Sequence, residues 1–364
     1  MNNIEVKVPS NIKISGEHSV VYGGPSLSAA TSPYATATLS ETRSGQLEIF
    51  LKDLKISASF DEPTLRELYA EYSKRDITPK KPEDKTPTDL AKYISRHTEI
   101  TKEMLPYATI AARLLVEHGI IPINKRVVIH SDVPIGKGYA SSAVCSTAFA
   151  TVLIKSSGKQ IDDQTAIDIS RDGERIVHGI ETGGRLDVGP IYFGGYAIFS
   201  AKDGIRSLQI STPINVVVMD VGQKPPTSEM VKKVRALWTE DQSGTEKILR
   251  EIDDIVLKCI AALKSGDLEE LGRQMYDNHK LLKKLGVSSD KLDDAVSIAM
   301  ANGALGAKLC GGGGGGMGIA LVKDEATAKK VINALKSKGY GAYHSDVTLN
   351  GAKSFLKQRK KTKV

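Results

Sequence analysis

The chain has 364 residues, 40% of them apolar and 26% charged, which is enough for two lobes with real cores and excludes wholesale disorder. Its 50 basic against 43 acidic residues leave a formal charge of +7, an excess that suits an anionic small-molecule substrate such as a nucleotide or a phosphorylated acid. Cys145, Cys259 and Cys310 are odd in number and widely spaced, which argues against a disulfide framework or zinc site and for a reducing cytoplasm.

No apolar run approaches ~18 residues and the opening MNNIEVKVPS has no apolar targeting core, so no membrane partner is expected. The basic residues are scattered, without interleaved aromatics, so no nucleic acid is expected either. The one dense basic run, Lys357 to Lys363, reads as a solvated tail.

From Ile4 to about Ser57 short alternating runs (IEVKV, ATATLS, LEIFL, KISASF) predict strands separated by Ser, Gly and Pro turns. Between about Glu62 and His118 the pattern predicts three helices, with an exposed Lys/Pro/Asp-rich linker at about Thr78 to Thr88 and a stop at Gly119. KRVVIHSDV predicts a strand, PIGKG a loop, and SSAVCSTAFATVLIKSSG a helix of small residues. A further helix, DDQTAIDISRDGERIV, leads to HGIETGGRLDVGP, after which YFGGYAIF and INVVVMDVG predict strands. About 75 helical residues follow Thr227; ALGAKLC and MGIALV then flank six glycines, Gly311 to Gly316, before a last helix and the strand YGAYHSDV. The order is α+β, without an internal repeat, and the expected division is residues 1–221 and 222–364, with a helical insertion at about 62–105.

Pro134 to Ala143 (PIGKGYASSA) is a strand, a glycine turn and a helix start. Gly136 and Gly138 allow positive φ and close backbone approach, and Ser141 and Ser142 fall at a helix N-terminus whose free N–H groups and dipole favour an anion. An N-cap serine in an ordinary turn explains the same residues. The loop is neither a Walker A sequence nor a Rossmann fingerprint, because the six-glycine run precedes a strand.

Three segments in order, Ser15–Ala30 (SGEHSVVYGGPSLSAA), Pro134–Ala143 and Lys308–Leu321 (KLCGGGGGGMGIAL), resemble the GHMP kinase superfamily. The first, together with DGERIVHG at Asp172–Gly179, resembles its mevalonate kinase branch. The resemblance implies a two-lobe fold, ribosomal-S5-like at the N-terminus and ferredoxin-like at the C-terminus, with the active site between the lobes. It implies ATP cradled by Pro134, Gly136, Lys137, Gly138, Ala140, Ser141, Ser142 and Ala143, and Mg²⁺ held by Ser142 and Glu174. Asp187 matches the family's catalytic aspartate; Glu17, His18, Ser19, His178 and Gly311, Gly312 and Gly313 are expected near the substrate or its phosphates. Phosphoryl transfer needs these parts: positioning, charge neutralisation and a carboxylate beside the attacking hydroxyl. Taken singly, Asp187 is also a turn residue, Glu174 a solvated helix position and His18 a buried imidazole.

The sequence departs from the family where a lysine normally stands five residues before the Gly of GEH: that position is Asn11. Lys13 lies on the same strand face about 7 Å along, and Arg185 stands two residues before Asp187; either is a candidate for the missing cation, and with Asp187 they form the expected catalytic set. HGIETGGRLD is also about two residues longer than the usual substrate loop, and the insertion at about 62–105 is a lid, a homodimer surface or decoration. The implied activity is an ATP-dependent kinase acting on the 5-hydroxyl of mevalonate or of mevalonate 3-phosphate. A phosphomevalonate kinase or related decarboxylase and a catalytically silent nucleotide sensor are the alternatives.

Overall fold

The computed structural model describes residues 3–74, 89–133, 140–179, 184 and 186–356. In chain order the elements are β1 (Ile4–Ser15), a single 3-10 turn at Ser19–Tyr22, β2 (Ser26–Glu41), β3 (Leu47–Leu51), β4 (Ile56–Phe60), α1 (Glu62–Tyr72), α2 (Asp89–Arg96), α3 (Leu105–His118) and β5 (Lys125–Ser131). Next come α4 (Ser141–Ser157), α5 (Asp163–His178), α6 (Val188–Phe193), β6 (Tyr196–Ser200), β7 (Gly204–Leu208) and β8 (Asn215–Asp220). The last part holds α7 (Thr227–Glu240), α8 (Gln242–Ser265), α9 (Leu268–Lys284), α10 (Asp290–Ala301), β9 (Gly306–Leu309), β10 (Met317–Val322), α11 (Glu325–Ser337), β11 (Gly341–Asp346) and α12 (Lys353–Leu356).

The first sheet is built on β2. Its residues 27–31 and 34–39 pair antiparallel with β1, residues 35–41 with β5 and residues 26–29 with β6. The path β4-β3-β5-β2-β6-β7 results, with β3 parallel to β5. Against β1 and β2 lies α4, whose residues from Ala143 to Ile154 are all buried. A helix apolar all round belongs inside a fold, and Thr147 and Thr151 satisfy their hydroxyls on the carbonyls of Ala143 and Thr147, at 2.7 and 2.6 Å.

The second sheet is fully antiparallel with order β11-β8-β10-β9. Numbered within this lobe, that order is 4-1-3-2, the ferredoxin-like split arrangement, with α7 to α10 filling the first crossover and α11 the second. Because β8 pairs with β10 and β11, the sheets divide between Leu208 and Asn215, upstream of the division expected at 221/222. The tail also returns to the first lobe: Thr31 bridges Val347, Thr348 N–H donates to Ala30 O at 2.9 Å, and α12 packs on α4 and α6.

One expected strand is corrected. In YFGGYAIF, Tyr192 and Phe193 end α6, and Gly194 at φ 77° terminates that helix before β6 begins at Tyr196. The expected stop of α3 at Gly119 is seen as a left-handed cap at φ 60°.

The helices between 62 and 105 are packed rather than detached. Leu65, Leu68 and Tyr72 of α1 and Leu90 and Tyr93 of α2 are buried, and Tyr93 OH meets Thr109 Oγ1 at 2.8 Å. The linker expected at 78–88 lies outside the described residues. Under α1 sits a buried charge network. Asp172 of α5, fully buried, accepts from Arg113 Nη1 at 2.9 Å, Arg175 Nη1 at 2.7 Å and the Tyr72 hydroxyl. Arg113 and Arg175 also reach Asp168, at 2.8 and 2.6 Å. Burial opposes both guanidinium charges, and the two aspartates more than reverse this, raising both pKa values.

This network ranks two substitutions. Arg113→Met leaves two carboxylates short of a cation and is expected to cost about 3–5 kcal/mol. Tyr72→Phe removes one hydrogen bond from a carboxylate that keeps both arginines, and is expected to cost about 1.5–3 kcal/mol. Urea denaturation of the two variants compares them; a larger loss for Tyr72→Phe would contradict the assignment of the network's energy to its arginines.

Candidate active site

A cavity of ≈ 530 Å³ collects residues from both lobes: Lys13 and the Glu17–His18 turn, the start of α4, Glu174, Asp187, and from the second lobe Lys224, Thr227, Gly311 and Gly312. Three of its walls are set by local backbone chemistry.

The first wall is β1. Asn11 and Lys13 share a strand face. Lys13 Nζ forms an ion pair with Asp187 Oδ1 and donates to Asn11 Oδ1 at 2.7 Å; Asn11 Nδ2 in turn donates to Asp187 O at 3.4 Å. Burial opposes the Lys13 ammonium, but Asp187, with Cys310 and Glu174 adding to it, more than reverses this and holds the pKa above its usual value. Asp187 sits at the N-cap of α6 without capping it, and its side chain stays 22% exposed, open to a ligand.

The second wall is the start of α4. Ala140, at φ 54°, has no side chain that can cap the helix, and the first helical bond is Val144 N–H to Ala140 O at 3.0 Å. The N–H groups of Ser141, Ser142 and Ala143 precede that bond, as an anion cradle requires. Ser142 Oγ donates to Glu174 Oε1. The contact depends on Gly173: a Cβ there would overlap Ser146 Oγ, so the bare backbone lets α5 close on α4 and delivers the next residue, Glu174, to Ser142.

The third wall is the glycine run. His18 Nε2–H donates to Gly312 O at 3.0 Å, and burial keeps the imidazole below its usual pKa. Glu17 pairs with Lys308 of β9, a fully buried lysine that also donates to Leu309 O at 2.7 Å, while Glu17 Oε2 is buried with no hydrogen-bond partner among the described residues. Gly311 and Gly312 line the cavity, but Gly313 does not: its missing Cβ is the space taken by Val287 O.

Of the residues expected from sequence, the structure brings Lys13, Glu17, His18, Ala140, Ser141, Ser142, Glu174, Asp187, Gly311 and Gly312 to the one cavity. It turns the Ser19 side chain away, buried with its hydroxyl on Gly16 O at 3.3 Å, while Ala143 buries its methyl in the core and keeps its backbone N–H at the start of α4. Pro134, Gly136, Lys137, Gly138 and Arg185 lie outside the described residues, as does the side chain of His178. Sequence reasoning missed Lys308 and Lys224. The only signal for the first was a lysine inside the otherwise apolar strand ALGAKLC.

Ser142 and Glu174 offer a hydroxyl and a carboxylate oxygen on one side of the cavity. No group of three or more His, Cys, Asp or Glu suited to a metal exists among the described residues. Two protein oxygens with the remaining positions left to phosphate and water fit a magnesium ion. No described helix is long and apolar enough to cross a membrane.

Residues 106–195 match the family model for the GHMP kinases N terminal domain, and residues 259–341 match that for GHMP kinases C terminal. The chain is 30% identical over 341 residues to the mevalonate kinase of Thermococcus sibiricus, covering 91% of this chain and 92% of that one. It is 29% identical over 356 residues to the mevalonate kinase of Pyrococcus furiosus, covering 95% and 96%. The solved structure of the Methanococcus jannaschii mevalonate kinase shares the fold, with a TM-score of 0.76 over 95% of this chain and 98% of that one at 22% identity.

Behind the glycine run, His279 supplies a pH test. Its Nδ1 accepts from Leu309 N–H at 3.3 Å and its Nε2 faces Asp293 at 3.3 Å. Burial, only partly offset by Asp293, pushes its pKa from 6.5 down to about 4. Between those values the unfolded chain binds the proton and the folded chain does not, so stability is lost as pH falls from 6.5 to about 4, by about 3 kcal/mol in all. His279→Asn, which keeps an acceptor for Leu309, is expected to flatten that slope in urea titrations from pH 7 to 4.5; an unchanged slope would assign it to other groups.

Proposed function

Because the chain belongs to the GHMP kinase family, on its mevalonate kinase branch, and is an ATP-dependent kinase, we propose that it transfers the γ-phosphate of ATP to the 5-hydroxyl of mevalonate or of mevalonate 3-phosphate, in the cytoplasm, as a step of isoprenoid biosynthesis. The observation that carries this reading is the Lys13–Asp187 pair on the same cavity as Ser142 and Glu174.

In this reading Asp187 receives the proton of the attacking hydroxyl. Lys13 keeps that carboxylate ionised and oriented, and supplies from two residues along the strand the charge that the family places at the position of Asn11. Asn11 holds the ammonium from the other side. Arg185 is kept as a second cation of the site. The segment from Pro134 to Ala143 cradles the nucleotide phosphates on the start of α4. Ser142 and Glu174 would hold Mg²⁺, which neutralises phosphate charge when bound. The Glu17–His18 turn, fixed to Lys308 and Gly312, shapes the acceptor side. The names of the relatives favour mevalonate as the acceptor; Lys13 and Lys224, the lysines of the cavity among the described residues, keep its 3-phosphate in view.

Coupled ADP release with mevalonate, its 3-phosphate and its 5-phosphate tests the assignment. Turnover is expected with one of the first two; turnover with the 5-phosphate alone, or with none, would sink it. Asp187→Asn is expected to lower kcat by about 10²–10⁴-fold. Lys13→Met is expected to lower kcat and move the acid limb of the pH–rate profile to higher pH, because Asp187 loses the cation that favours its charged form. An acid limb that stays in place would mean that Lys13 does not act through Asp187.

A further inference from the structure

Lys224 lies in the connection between β8 and α7, and nothing in the family resemblance drew attention to it. The connection is held firmly. Gly222 N–H donates to Asp220 Oδ1 at 2.9 Å, and Pro225 and Pro226 restrict the backbone that follows. The segment is laid directly on the glycine run. A Cβ at Gly312 would stand 2.9 Å from Thr227 Cγ2, one at Gly314 2.6 Å from Pro225 Cγ, and one at Gly315 3.3 Å from Lys224 Cα. Three of the six glycines are therefore bare where this segment presses on them, and the packing fixes the backbone from which the lysine projects.

The side chain lines the same cavity as Lys13, Asp187, Ser142 and Glu174. Its electrostatic neighbours are Lys13, which repels it, and Asp187 and Glu174, which attract it. Among the described residues it has no hydrogen-bond or ion-pair partner. Burial first, and then repulsion by Lys13, lowers its pKa from the usual value. Lys13 is already engaged by Asp187 and Asn11. Among the described residues Lys224 is thus a half-buried, uncommitted cation of the cavity, and half-buried ammonium groups are stabilised by an anion.

The position of that anion follows from the neighbours. Asp187 marks the acceptor hydroxyl, and Ser142 with Glu174 marks the phosphate chain. The group that lies between them is the phosphoryl in transit. We propose that Lys224 is a catalytic residue that touches the γ-phosphoryl group during transfer and neutralises its charge. This rests on the kinase reading above. In the step, the bond from the γ-phosphorus to the bridging oxygen of ATP breaks and its electron pair leaves on ADP. A bond from the acceptor oxygen to that phosphorus forms, and the hydroxyl proton goes to the Asp187 carboxylate. Lys224 exchanges no proton; its charge sits beside the three outer oxygens throughout.

Lys224→Met and Lys224→Arg test this. The expected result for Lys224→Met is a kcat lower by about 10²–10³-fold with the acceptor KM within about threefold of wild type. The Mg²⁺ complex of a non-hydrolysable ATP analogue should bind about 5–20-fold more weakly by calorimetry while ADP affinity is unchanged. Lys224→Arg should recover part of kcat, which a loss of packing alone would not allow. A kcat within threefold of wild type overturns the proposal. So does a raised acceptor KM with kcat intact, which would place Lys224 on the acceptor's own acidic group, or an equal loss of ADP and analogue affinity. If wild type turns over none of the acceptors, the kinase assignment of the acceptor fails by itself, and the contrast between analogue and ADP still decides whether Lys224 meets the γ-phosphate.

Discussion

A charge taken out of water must be given a partner, and most of this site is a consequence of that requirement. Asp172 is fully buried, so two arginines and a tyrosine hydroxyl surround it. Because Arg113 belongs to α3 and Tyr72 to α1, satisfying one carboxylate ties three helices together. The same helix that Asp172 anchors carries Glu174 two residues on. Lys308 is likewise fully buried, and its partner Glu17 belongs to the other lobe. That pair joins β9 to the turn after β1 and brings the glycine run over the end of the first sheet. Lys13 and Asp187 are the third instance, with one member left partly open to the cavity. The successive pairs locate the cavity, and Lys224 stands out because it breaks the pattern.

A second constraint works by subtraction. Where two backbones must meet, a side chain is missing. Gly173 lets α5 settle on Ser146, and Gly272 and Gly306 let α9 lie against β9 at a distance no Cβ would allow. In the run from Gly311 to Gly316 the glycines divide between two tasks. Gly311 and Gly312 face the cavity, while Gly313, Gly314 and Gly315 accept Val287, Pro225 and Gln223 against bare backbone. Much of the run is a packing surface.

Local chemistry made much of the fold legible. Asp61, Asp162, Asp267 and Asp324 each accept from a backbone N–H in the first turn of their helices, and Gly119, Gly158 and Gly179 close α3, α4 and α5 in left-handed conformation. These signals need only a few neighbouring residues. What sequence reasoning misplaced depends on partners far along the chain. INVVVMDVG is plainly a strand, but nothing in it says that its neighbours are β10 and β11, about a hundred residues later. Tyr192 and Phe193 have good strand propensity, and the tertiary position of α6 overrides it. Ser19 sits beside two residues that line the cavity, and a 3-10 turn rotates it inward. Lys308 looks like an error in an apolar strand until Glu17 is placed beside it.

Lys13 reaches Asp187 from a strand position two residues beyond Asn11. A lysine delivers its charge at the end of a four-carbon stem. Positions i and i+2 of a strand share a face about 7 Å apart, within the reach of that stem. A lysine two residues displaced can therefore direct its ammonium to the same aspartate, provided that the vacated position does not repel it. Asparagine meets that condition: its carbonyl accepts from the displaced ammonium and its amide donates to the backbone of Asp187. The letter at position 11 departs from the family pattern, while in this chain an ammonium still stands against the Asp187 carboxylate, so the site is better described by where its charges lie than by which residue numbers carry them.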